Sequence, residues 1–80
     1  MAPIQLLIET PTDTTENEIE YMFQTTWDVV VETITSMHTF KCKKFWVTVW
    51  PSRKVYALLN QLKHETVDSR YWKVSRVKDV

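Results

Sequence analysis

Apolar and polar residues alternate at the start of the chain, with Ile4, Leu6 and Ile8 on one side and Gln5, Leu7 and Glu9 on the other. A period of two marks a half-buried strand, so residues 3 to 9 are predicted as a first strand, stopped by Pro11. The period then becomes helical: Ile19, Met22 and Phe23 fall at i, i+3 and i+4. Ahead of them Thr15 and Glu18 have the spacing of a capping box, and Glu16 and Glu18 suit the positive end of a helix dipole. From Trp27 to Thr35 the β-branched Val29, Val30, Val31, Thr33, Ile34 and Thr35 predict a second strand. Met37 to Lys44 reads as a hairpin connection, and Phe45 to Trp50 as a third strand ended by Pro51. Ser52 is placed to cap a second helix carrying Val55, Leu58, Leu59 and Leu62 on one face. That helix is expected to fray around His64 to Asp68, before a last strand from Arg70 to Val77. The predicted order is βαββαβ, an α+β chain whose two helices cover one face of a four-stranded antiparallel sheet and leave the other open.

Eighty residues allow one core, so a single domain spanning 1–80 is expected. A 44% apolar content with four Trp is that of a chain that folds. No glycine is present, and the turns must be made by Asn, Asp, Ser, Thr, Lys or His. Cys42 is the single cysteine and has no internal partner, and the opening Met-Ala-Pro-Ile lacks the basic and long apolar segments of a secretory signal. No apolar run approaches the roughly 20 residues that span a bilayer. An intracellular protein with no membrane partner is therefore expected.

Net charge is zero, but the zero hides a division. Residues 1 to 40 hold seven acidic residues and no Lys or Arg, whereas residues 41 to 80 hold ten basic and three acidic ones, so the halves are −7 and +7. Such a separation can build a basic surface for phosphate on a neutral protein, or two complementary surfaces for self-association.

The stretch Thr10-Pro-Thr-Asp-Thr-Thr-Glu-Asn-Glu-Ile-Glu-Tyr-Met-Phe23 resembles the segment joining the first strand to the first helix in RNA-recognition motifs, with Ile19 and Phe23 at its core positions. Lys44 to Trp50 (Lys-Phe-Trp-Val-Thr-Val-Trp) stands where that superfamily keeps the aromatic signature of its third strand. Within the superfamily, Trp46-Val-Thr-Val49 and Tyr71-Trp-Lys-Val74 are similar to small divergent members encoded by large DNA viruses of amoebae. The resemblance implies a ferredoxin-like βαββαβ sandwich and a nucleic-acid-binding fold. If it extends to origin, it places the protein in the host cytoplasm or nucleus, or in the virion. The chain departs from the pattern in lacking the glycines of the signature strand. It also has Leu6 or Leu7 where a first-strand aromatic would stack on a base.

Alternation sorts the candidate residues. If Phe45, Val47 and Val49 face the helices, Lys44, Trp46, Thr48 and Trp50 lie on the open face; the opposite register puts Phe45 outward and both Trp inside. Tyr71, Lys73 and Ser75 then share the open face, while Trp72 and Val74 fill the core. Trp46 and Tyr71 are the stacking candidates for single-stranded RNA or DNA, and Lys44, Lys73 and Arg76, with Lys41 and Lys43, the candidate phosphate contacts. The same exposed aromatic face would equally serve a homodimer or another protein partner, giving a structural or interaction protein, viral or virion-associated. A third reading is a small inhibitor of a host complex. Arg53 and Lys54 at the start of the second helix oppose its dipole.

Nothing in the sequence calls for catalysis. His38 and His64 are isolated, no Cys/His spacing suits zinc, and no phosphate loop or Ser-His-Asp order is present. Cys42 lies between Lys41 and Lys43 without an evident base or oxyanion site and reads as an ordinary loop cysteine. The expectation is a non-catalytic protein with no metal or small-molecule cofactor.

Overall fold

In the computed structural model, which describes residues 3–61, 64–67 and 70–77, strand β1 (Ile4–Thr10) runs through the middle of the sheet. Its alternation is kept: Ile4, Leu6, Ile8 and Thr10 are buried, while the residues between them are exposed or half-buried. Helix α1 (Glu16–Tyr21) begins as its capping residues dictate, with the Glu18 amide donating to Thr15 Oγ1 at 3.3 Å. It passes directly into a π-helical turn, Met22–Thr26, in which the Trp27 amide donates to the Met22 carbonyl five residues back. Phe23 is fully buried there, and the Trp27 ring meets it edge-on at 4.7 Å between centroids.

Strand β2 consequently starts at Val31, not Trp27, and runs to His38. The β-branched run misleads because Trp27 and Val29 are spent on packing against the helix end: Val29 is buried and its amide bonds the Phe23 carbonyl at 2.7 Å. Asp28 turns the chain between them with φ of 52°, a left-handed conformation that Asp tolerates and that Gly would otherwise supply. The hairpin to β3 (Lys43–Val49) is tight, closed by Thr39 and Cys42. The Thr39 amide and hydroxyl both donate to the Cys42 carbonyl, at 2.9 and 2.7 Å.

Helix α2 (Arg53–Gln61) is capped by Ser52, whose Oγ accepts from the Val55 amide at 3.3 Å. Val55 and Leu58 are buried and Leu59 packs against them, as its spacing requires; Leu62 lies outside the described residues. Where fraying was expected, His64–Val67 is instead a short strand β4, paired antiparallel with β5 (Arg70–Arg76). The element order is thus βαββαββ. The sheet is five-stranded and antiparallel, with neighbours in the order β2-β3-β1-β5-β4.

One face of this sheet makes the core. Ile4, Leu6 and Ile8 of β1, Phe45, Val47 and Val49 of β3, and Trp72 and Val74 of β5 form one cluster with Ile19, Phe23, Val55 and Leu58 from the helical segments. Both helical segments therefore pack on the same side. Two polar atoms in this layer, Thr14 Oγ1 and Trp72 Nε1, find no hydrogen-bond partner among the described residues. No helix among the described residues is long and apolar enough to cross a membrane.

Candidate nucleic-acid interface

Residues paired directly across an antiparallel sheet share a face, so the register defines the open side row by row. Thr35, Trp46, Leu7 and Ser75 form a central row across β2, β3, β1 and β5. Met37, Lys44, Glu9 and Lys73 form the next, and Thr33, Thr48 and Gln5 the row on the other flank. Phe45 is fully buried, which settles the register in favour of Trp46 outward. Trp46, Lys44 and Thr48 are half-buried among their neighbours, and Lys73 is exposed. Tyr71 is 57% exposed, one pleat beyond Lys73.

The strand spacings set the scale. Tyr71 lies four residues along and two strands across from Trp46, roughly 16 Å away at about 3.3 Å per residue and 4.8 Å per strand. That is several times the 3.4 Å rise of a stacked strand, so the two rings cannot hold adjacent stacked bases. They suit a single strand whose bases are splayed apart, with the lysine row passing between them. Glu9 stands in that row between Lys44 and Lys73, its carboxylate offsetting one of the two cations.

Below this row the β2–β3 hairpin adds to the face. Lys41 and Cys42 join Glu9, Thr10, Pro11, Tyr71 and Lys73 around an open cleft of about 290 Å³. Lys41 and Lys73 thus line one concavity beside a tyrosine ring, an arrangement able to hold a phosphate with a base stacked next to it. At the tip of the same hairpin Phe40 is 97% exposed. Sequence reasoning passed over it as loop. The available signal was a large aromatic at a turn position, next to lysine, where small polar residues are the rule.

Three expected contacts fall elsewhere. Arg76 is paired with buried Leu6, which puts it at the end of β5 on the helix side, not on the open face; alternation from Trp72 and Val74 leads to the same place. Lys43 shares the side of Phe45, sits 5.3 Å from that ring's centroid, and donates from Nζ to the Thr14 carbonyl at 3.1 Å. It ties the hairpin to the β1–α1 loop. Trp50 lies just beyond β3, 46% exposed, and lines a separate cleft of about 400 Å³ with Asp28, Val30 and the first residues of α2. In that cleft Lys54 is ion-paired to Asp28, an exposed contact that satisfies one of the two bases opposing the α2 dipole.

The charge division seen along the chain survives only in part across the sheet, since Lys43 and Arg76 fall on the helix side and Glu9 on the open one. Glu16, Glu18 and Glu20 belong to α1 on the helix side, whereas Lys41, Lys44 and Lys73 border the open face. Cys42 is half-buried and held by Thr39, its Sγ 3.4 Å from the Thr39 hydroxyl. No group of three His, Cys, Asp or Glu side chains able to hold a metal occurs among the described residues. No protein-family model, curated protein or solved structure matches the chain.

Proposed function

We propose that the protein is a non-catalytic binding domain of the RNA-recognition-motif type that holds single-stranded RNA or DNA on its open sheet face. Trp46 is the central stacking ring and Tyr71 the second. Lys44, Lys73 and Lys41 receive the backbone phosphates, and Phe40 stacks or wedges at the hairpin end of the track. The fold part of this reading is supported by the strand order β2-β3-β1-β5 with two helical segments on one side, a ferredoxin-like arrangement to which β4 adds a flanking strand. The observation that carries the functional part is the split of the aromatics. Phe45 and Trp72 fill the core, while their sequence neighbours Trp46 and Tyr71 lie on the uncovered side among lysines.

Titration of labelled single-stranded RNA and DNA tests this directly. Stacking contributes roughly 1–3 kcal/mol per base, so Trp46→Ala should weaken binding by about 5- to 150-fold. Lys44→Ala with Lys73→Ala should weaken it further and flatten its dependence on salt. A wild-type protein that binds neither polymer at low salt, or a Trp46→Ala variant that binds as well as wild type, overturns the reading.

A further inference from the structure

Strand β2 ends the sheet among the described residues, and from Thr33 to His38 its outer edge carries no charged Lys, Arg, Asp or Glu, no proline and no bulge. Exposed edges are normally blunted by lysine, proline, brevity or a covering element. Here the edge is eight residues long, Val-Glu-Thr-Ile-Thr-Ser-Met-His, without Lys, Arg or Pro, and six of the eight are exposed. Its bulge lies at the very start, between Val31 and Thr33, leaving the rest regular. The opposite edge strand, β4, has only four residues.

We propose that β2 pairs antiparallel with β2 of a second copy of this chain, joining the two sheets edge to edge about a two-fold axis at Thr35. The register is constrained. Paired residues must share a face, so a two-fold antiparallel ladder has to centre on a residue and not between two. Centring on Thr35 sets Ile34 against Ser36 of the partner subunit, Thr33 against Met37 of the partner subunit, and Glu32 against His38 of the partner subunit. Met37, 48% exposed in the single chain, then gains a neighbour, and the Glu32 carboxylate, left without a β3 partner by the bulge, meets an imidazole. Centring on Ile34 brings the bulged Glu32 next to the axial pairs, against Ser36 of the partner subunit, and centring on Ser36 sets Thr33 against a turn residue and leaves Glu32 with no strand residue opposite. Centring on Thr35 keeps Thr33 to Met37 regular and puts the bulged Glu32 only at the end of the ladder, facing His38 of the partner subunit.

The axis stands perpendicular to the sheet, so both open faces end on one side. Because Thr35 is paired with Trp46 in each copy, the two indoles come to lie about three strand spacings apart, roughly 14 Å, on one continuous surface. The pairing uses main-chain groups of the edge and leaves the face free, so it stands whether or not nucleic acid is bound.

Light scattering on the nucleic-acid-free protein should give twice the 9.6 kDa chain mass. Thr35→Lys places two ammonium groups at the axis and should return the mass to that of one chain with the circular dichroism spectrum unchanged. Independently, Cys42→Ser/Thr35→Cys should form a disulfide-linked pair on mild oxidation, and Cys42→Ser/Gln5→Cys, on the exposed part of β1, should not; this arm decides if Thr35→Lys does not fold. A single-chain mass at every concentration overturns the proposal. So does a dimer indifferent to Thr35→Lys, or equal cross-linking through Gln5→Cys.

Discussion

Two faces of one sheet, built from the same strands, behave as different materials. On the helix side Leu6, Ile8, Phe45, Val47 and Trp72 are sealed from water in a layer that is mainly apolar, with the hydrogen-bonded hydroxyl of Thr10 and two polar atoms that find no partner among the described residues. On the other side the residues one step along each strand, Leu7, Trp46, Glu9, Lys44 and Lys73, mix a ring, an aliphatic side chain, two cations and an anion. The pairs Phe45 and Trp46, or Tyr71 and Trp72, show that aromatic content does not decide where a ring goes. Position in the pleat does, because successive side chains point to opposite faces. A ring on the closed side contributes to folding, whereas a ring on the open side, half-buried Trp46 or exposed Tyr71, keeps part of its surface toward solvent.

The sharpest break between the faces is expected at Tyr71 and Trp72. Trp72 is fully buried under the helices, and truncating a buried Trp to Ala removes about 3–5 kcal/mol. For a domain of 80 residues that is a large share of a total of about 4–12 kcal/mol, so Trp72→Ala should move the urea midpoint far down. Tyr71→Ala, one residue away, should lower stability by about 1 kcal/mol or less. Equal losses at the two positions would mean that the faces are not distinct.

Thr14 offers a smaller effect of opposite sign on the closed side. Its amide donates to the Pro11 carbonyl at 3.2 Å and its own carbonyl accepts from Lys43, so the backbone is satisfied while the buried hydroxyl finds no partner among the described residues. An unsatisfied buried polar group costs about 1–3 kcal/mol. Thr14→Val keeps the branched shape and removes the hydroxyl, and should raise the midpoint of urea unfolding by the equivalent of about 1 kcal/mol.

Much of this architecture was legible from period alone. The strands around Leu6, Val47 and Val74, the Thr15 cap and the apolar face of α2 all follow from local spacing, and so did the outward position of Trp46 once one register was preferred. What misled were places where tertiary packing overrides local preference. Val29 and Val30 have strand propensity, yet the π-helical turn places Trp27 against Phe23 and delays β2 to Val31. Strand β4 was hidden because His-Glu-Thr-Val shows no helical or clearly alternating pattern, and its pairing comes from β5. Lys43 and Arg76 were misassigned for a simpler reason. A basic residue reads as a phosphate contact from sequence, and only the register shows that each falls on the helix side.

Glu9 separates the faces most finely, because it sits on the open side with a charge unsuited to a polyanion. It is paired in register with Lys44 on one strand and Lys73 on the other, so it holds the field of both cations when the face is empty and repels a phosphate laid between them. Glu9→Gln keeps the size and hydrogen-bonding capacity of the side chain and removes only the charge. At the partly solvated surface of a sheet the effect of one charge is of order 1 kcal/mol or below, so single-stranded nucleic acid should bind up to about five-fold more tightly at low salt. The gain should shrink as salt is added, since the term is electrostatic and screened within about 10 Å at 0.1 M. If the face instead serves only protein contacts, the same substitution leaves nucleic-acid titrations unmoved at every salt concentration, and the lysine row is then a solubilising surface and not a track.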